Sequence, residues 1–149
     1  MESLKTRSAA LEDAGSIADL AAQLGYPSSA ETVALRMRRY LGNDDERIIV
    51  AELDGSVVGW TSVALVDHFY TPLYAEISGL IVDEKRRGYG IGALLLEEAK
   101  AWAKARGVDT LRLRANALRK DAHRFYLREG FIKSKEQFVF DMNIGPRAR

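Results

Sequence analysis

The segment Arg87-Gly88-Tyr89-Gly90-Ile91-Gly92 sets three glycines at alternate positions, directly behind Arg86. It follows a β-rich run and opens a helical pattern, so unpaired backbone N–H groups and the helix dipole converge on one point. Glycine lets a backbone approach a diphosphate closely, and two arginines beside it add positive charge. A bare G-x-G-x-G equally fits a simple strand-to-helix turn. Two familiar nucleotide loops are disfavoured: a Walker loop would end in Gly-Lys-Ser/Thr, and a Rossmann loop would come early in parallel β-α-β units.

The elements that must position this loop are legible in the apolar spacing. Ile17, Leu20, Ala21 and Leu24 trace one helical face, ending at Gly25-Tyr26-Pro27. Ser28 and Glu31 form a capping-box pattern ahead of Val33, Met37, Tyr40 and Leu41, a second helix that stops at Gly42. Residues 48–51 and 57–61 flank Asp54-Gly55, a hairpin signal. A strand over 74–82 puts Glu76, Ser78, Leu80 and Val82 on one face, with Gly79 marking a bulge. After the loop come a long helix ending near Gly107, a strand over 110–115, a short helix over 120–129 closed by Gly130, and a last strand at 138–142. With a short first strand near 4–7, the order is strand, two helices, three strands, helix, strand, helix, strand. The expected architecture is one α/β domain spanning 1–149, with a mixed, mostly antiparallel sheet and about four helices.

Composition narrows the function classes. The 149 residues suit one core. A net charge of +1 implies no general attraction to nucleic acid or anionic lipid. Without cysteine there is no disulfide, thiolate metal site or cysteine nucleophile. His68 and His123 are the only histidines and sit in no ligand-spaced cluster, so no metal site is expected. No signal-peptide core or membrane-length apolar run is present, and the expected location is the cytoplasm.

Three ordered motifs carry a resemblance to a known family. Arg87, Gly90 and Gly92 meet the pattern Arg/Gln-x-x-Gly-x-Gly/Ala; residues 78–83, Ser-Gly-Leu-Ile-Val-Asp, resemble the strand that feeds it; residues 125–131, Phe-Tyr-Leu-Arg-Glu-Gly-Phe, resemble a late F-Y-x-x-x-G-F segment. The chain thus resembles the GNAT (GCN5-related N-acetyltransferase) superfamily over nearly its whole length, in the branch acting on small molecules and aminoglycosides. The resemblance implies transfer of acetyl from acetyl-CoA to a primary amine, by direct attack in a ternary complex. It further implies that the amides of Arg87, Gly88, Tyr89, Gly90, Ile91 and Gly92 bind the coenzyme diphosphate. Leu80, Ile81 and Val82 would pair with the pantetheine arm through their backbone, and Asn116 would hydrogen-bond that arm. Arg119, Lys120 or Arg124 would reach the adenosine phosphate.

Such a reaction needs a neutral amine and a protonated thiol leaving group. Tyr126 matches the family's general acid, and a phenol with a pKa near 10 holds its proton at neutral pH; the bland reading is an amphipathic core tyrosine beside Phe125. Glu76 is the candidate base, acting directly or through water, against the reading of a strand carboxylate in a cross-strand pair. An N–H at the Gly79-Leu80 bulge could meet the developing oxyanion.

Two other classes of function stand beside this one. A GNAT-like domain could bind acyl-CoA as a sensor without turnover. Alternatively, Arg112, Arg114, Arg119, Lys120, Arg124 and Arg128 form a basic stretch that could meet nucleic acid, although no recognised RNA-binding signature accompanies it. Substrate choice is expected to lie in the first two helices, their 23–27 junction and the 67–72 segment, whose acid and aromatics suit a cationic amine such as an aminoglycoside or polyamine. A peptide amine is the other acceptor class. The resemblance also implies a homodimer.

Overall fold

The computed structural model describes residues 3–115 and 119–146. The chain divides into two compact units, Met1–Arg114 and Ala115–Arg149.

The first unit holds a five-stranded sheet in the order β1 (Leu4–Ser8), β2 (Glu46–Leu53), β3 (Ser56–Val66), β4 (Tyr74–Val82) and β5 (Leu111–Leu113). Neighbours are antiparallel except β4 and β5, which run parallel. The hairpin expected at Asp54-Gly55 joins β2 to β3, with both residues at positive φ. Strand β3 runs five residues beyond the 57–61 reading. Those added positions, Ser62 to Val66, pair with Glu76-side residues of β4 and with the start of β2, and this pairing holds them extended without a sharp sequence pattern.

Helices α1 (Ala14–Ala22) and α2 (Ala30–Leu41) cover one sheet face, where Ile17 and Met37 pack with Ile48, Val50 and Trp60. The cap of α2 lies one residue later than the capping-box reading: Ser29 Oγ accepts from the Thr32 amide at 3.1 Å. Ser28 is thereby released to receive Arg36 Nη1 at 3.4 Å. Helix α3 (Ile91–Ala105) covers the opposite face, where Ile91 and Leu95 pack on Ile49, Ala51, Leu53 and Val58. Its boundaries match the expected ones because both ends are punctuated by glycines at positive φ, Gly90 and Gly107.

Asp13 ties β1 to the start of α1. Its carboxylate accepts from the two terminal guanidinium nitrogens of Arg7, at 2.8 and 2.9 Å, and from the Ala10 amide at 2.8 Å. Arg7 Nε also reaches Glu52 on β2 at 2.7 Å. These bonds hold the Asp13 carboxyl below the usual carboxylate range, although its burial works the other way.

The second unit contains α4 (Lys120–Arg128), close to the short helix expected there. The last strand expected at 138–142 does not form: residues 131–144 carry no regular structure, and Phe138 and Phe140 are 90% and 92% exposed. Alternation states which side chains would share a face, but a strand also needs a neighbour for its backbone ladder. Among the described residues of this unit there is none. Among all the described residues, no helix is long and apolar enough to cross a membrane.

Candidate active site

Strand β4 delivers the glycine loop and is itself interrupted. Its pairing with β3 slips at Ser78: Ser62 lies opposite Gly79, whereas the next residue, Val63, lies opposite Ile77. Ser78 is therefore the extra residue of a β-bulge, one position before the expected Gly79. Because side chains alternate along β3, the slip changes which β4 residues share a face. Glu76 joins the face of Trp60 and Ser62, while Leu80 and Val82 turn to the α3 side and pack with Ile91 and Leu95. Glu76 and Leu80 thus do not share a face, contrary to simple alternation.

The bulge has its own bonds. Ser62 and Ser78 hydroxyls meet at 2.5 Å, and Thr61 Oγ1 donates to the Gly79 carbonyl at 2.7 Å. Beyond Ile77, where pairing with β5 stops, the outer edge of β4 has no strand neighbour among the described residues. The backbone of Leu80, Ile81 and Val82 thus lies along an unpaired edge that leads to the loop.

The turn into the loop is clamped from α1. Asp83 accepts from the Lys85 amide at 3.1 Å, and the side chain of Gln23, the residue ending α1, takes both sides of the turn. Gln23 Nε2 donates to Asp83 Oδ1 at 3.3 Å, and its Oε1 accepts from the Glu84 amide at 3.0 Å. Gly88 and Gly90 then adopt φ of 89° and 79°, and an added Cβ at either would meet nothing within 4 Å. The N-terminus of α3 carries no side-chain cap, so its first amides, from Ile91 through Gly92, have no intrahelical partner. Arg87 and Tyr89 are exposed beside them. Open space, left-handed glycines and free amides together fit a diphosphate.

Glu76 is engaged rather than free. Its Oε1 is buried and lies 3.3 Å from Arg114 Nε, close enough for an ion pair but in a geometry that forms no hydrogen bond. Tyr126 lies on α4 in the second unit, with Phe125 and Phe131 set edge-on to its ring. Burial pushes its phenol above the ordinary value, while the Arg119 cation pulls the other way. Asn116 lies outside the described residues.

On the Trp60 face, α1, α2 and β3 enclose a cavity of about 220 Å³. Trp60, Met37 and Tyr40 supply much of its wall, Ser62 and Ser28 contribute hydroxyls, and Arg36 supplies a guanidinium. No residue from 67–72 lines it; there, His68 instead stacks on Tyr70 and leans against Tyr74. Residues of the first two helices, where substrate choice was expected, line this cavity, whereas Trp60, Gln23 and the contact of Arg114 with Glu76 were not singled out for the site. Of these, Gln23 falls in the 23–27 junction, Trp60 in the 57–61 run and Arg114 in the basic stretch. Among the described residues, no group of three or more His, Cys, Asp or Glu is placed to hold a metal ion.

A mixed sheet whose fourth strand feeds an uncapped, glycine-rich helix terminus defines an α/β architecture that presents free amides to an anionic ligand. The chain belongs to the acetyltransferase (GNAT) family, whose model matches residues 15–131; the family uses acetyl-CoA. It is 39% identical over 87 residues to the aminoalkylphosphonate N-acetyltransferase of Salmonella typhimurium, covering 58% of this chain and 56% of that one. It is 36% identical over 106 residues to an uncharacterized N-acetyltransferase of Chlorobaculum tepidum, covering 69% and 62%. The chain therefore spans less than two thirds of the length of these relatives. The crystal structure of an aminoglycoside antibiotic 6'-N-acetyltransferase from Acinetobacter baumannii shares the fold, with a TM-score of 0.82 at 18% identity, covering 96% of this chain and 100% of that one.

Proposed function

We propose that this protein is an N-acetyltransferase that moves the acetyl group of acetyl-CoA to a primary amine of a small molecule, by direct attack within a ternary complex. The observation that carries the reading is the loop at the end of β4: Gly88 and Gly90 in left-handed conformation, before a helix terminus with no cap. The amides of Arg87 to Gly92 hold the diphosphate there, and Arg87 adds charge from the exposed side. The unpaired edge at Leu80, Ile81 and Val82 takes the pantetheine arm by backbone hydrogen bonds, with Asn116 as a further contact. When bound, acetyl-CoA supplies the activated thioester.

In the transfer, the C–N bond forms as the C–S bond breaks; the amine gives up a proton and the sulfur takes one. Tyr126 supplies the proton for sulfur, and the rise of its pKa on burial keeps that proton in place at neutral pH. Glu76 receives the amine proton, directly or through a water. The amide at the bulge is suited to the developing oxyanion. Both units act as one transferase domain over 1–149, in a cytoplasmic homodimer. Aminoglycosides, polyamines and aminoalkylphosphonates are all small amines within this class of acceptor.

The test is calorimetric titration with acetyl-CoA, with free-thiol release followed in the same preparation against a panel of amines. Binding with amine-dependent release supports the transferase. Binding without release across a broad panel supports an acyl-CoA sensor, and no binding by folded protein overturns the reading.

A further inference from the structure

The cavity between α1, α2 and β3 presents hydrogen-bond donors and no carboxylate among the described residues that line it. The guanidinium of Arg36 can only donate, and so can the indole N–H of Trp60. Arg36 makes one bond, to Ser28 Oγ at 3.4 Å, and meets no carboxylate among the described residues. Trp60 Nε1 is buried with no partner, a costly state for a donor unless an occupant supplies an acceptor. The remaining wall is largely apolar and aromatic, with Met37 and Tyr40 prominent. At one side Ser62 connects the cavity, through its bond to Ser78, to the bulge of β4 and so to the strand that leads to the coenzyme loop.

We propose that the acceptor is a primary amine joined through a short apolar body to an oxyanion group, a phosphonate, phosphate or carboxylate. In this arrangement Arg36 pairs with the oxyanion, Trp60 and Tyr40 flank the apolar body, and the amine points toward the Ser62–Ser78 bulge. This rests on the transferase reading above and names its substrate class. The volume of about 220 Å³ has room for a small occupant of this kind. A polycation is disfavoured twice: it meets Arg36 as a like charge, and it finds no acid on the wall. That sets aside aminoglycosides and polyamines as occupants of this cavity. Arg36 is consequently a specificity-determining residue that contacts the end of the substrate remote from the reacting amine.

The experiment compares 2-aminoethylphosphonate, 2-aminoethyl phosphate, β-alanine and (1-amino-2-phenylethyl)phosphonate with propylamine, spermidine and kanamycin, by thiol release and by calorimetry. The oxyanion amines are expected to show kcat/KM about tenfold or more above propylamine, and their relative order separates phosphonate, phosphate and carboxylate. Arg36→Ala should raise KM for the oxyanion amines by about ten- to hundredfold at unchanged acetyl-CoA affinity, and Arg36→Lys should restore part of the loss. Arg36 is exposed, and acetyl-CoA binding by each variant reports that it is folded. Turnover of propylamine, spermidine or kanamycin in preference to the oxyanion amines, or indifference to Arg36→Ala, overturns the proposal and leaves the transferase reading intact. Calorimetric binding of the oxyanion amines that is lost in Arg36→Ala, without turnover of any amine, sustains the binding site and overturns the transferase reading instead. Failure of the oxyanion amines both to bind and to turn over overturns the proposal.

Discussion

Trp60 lies so close over Gly79 that a Cβ at position 79 would stand 2.7 Å from its Cζ3 and 2.8 Å from its Cη2. The contact is made by the six-membered ring, which is rigid and packed among α1 and α2 residues, so it cannot step aside as a flexible chain end would. Gly79→Ala is therefore expected to cost about 1–3 kcal/mol of stability, the usual range for overpacking. Displacing Trp60 should also raise the acceptor KM several-fold, because the same ring walls the cavity. Urea unfolding and acceptor titration together check this; unchanged values in both would mean that the indole yields freely.

Tyr126 is expected to act on the rate rather than on coenzyme binding. Tyr126→Phe keeps the ring and its edge-on contacts with Phe125 and Phe131 but removes the proton. The general-acid role predicts a loss in kcat of about a hundredfold or more, with the acetyl-CoA affinity preserved. The sign of the pH effect follows from the direction of the shift. The protonated phenol is the active form, and burial raises its pKa above the ordinary 10, so the rate should show no loss from Tyr126 ionisation between pH 7 and 9. A phenylalanine variant with wild-type kcat would remove Tyr126 from the chemistry.

The parts of this molecule that a sequence discloses are those governed by local rules. The turn after α1 at Gly25, the turn at Asp54-Gly55 and both limits of α3 follow from glycine conformations and apolar spacing, which act over a few residues. The faces of β4 were misread because the slip at Ser78 depends on how β3 pairs with it, and pairing is not a property of one strand. The engagement of Glu76 was hidden for a related reason: Arg114 is 38 positions away in the chain and is brought close by the parallel β4–β5 pair. Residues 138–142 show the opposite error, since their alternation is strand-like while no partner strand exists among the described residues of their unit. The glycine loop was legible because its chemistry is carried by backbone, and glycine is the one residue whose name states a backbone conformation.

Asp13 predicts a defined acid limb in stability. Its folded carboxyl titrates below the ordinary value because Arg7 favours the ionised form, so it contributes stability above the unfolded pKa of about 3.9. That contribution is lost as the pH falls through the lower folded value. Asp13→Asn should cost about 1–3 kcal/mol at pH 7, toward the lower end because Arg7 is 37% exposed and water can replace part of the interaction. The gap between wild type and variant should be widest near neutrality and close as the pH drops below about 4. Urea midpoints at pH 7 and pH 3 measure it, and a gap that widened toward acid would reverse the assignment.

Gly90 offers the sharpest separation of loop conformation from loop contact. At φ of 79° it sits where an L-residue is strained, yet a Cβ there would touch nothing within 4 Å, so the penalty of Gly90→Ala is conformational. That penalty is about 1–2 kcal/mol, and relief of it by moving the loop would misalign the amides that follow. Acetyl-CoA affinity is expected to fall by about tenfold, since 1.4 kcal/mol corresponds to that factor. Gly15→Ala is the matched control, lying in α1 without a positive φ and equally free of close neighbours. It should be neutral or stabilising by up to about 1 kcal/mol, with binding unchanged. If Gly90→Ala destabilised the fold but left calorimetric acetyl-CoA binding at the wild-type value, the diphosphate would have to be held somewhere other than the start of α3.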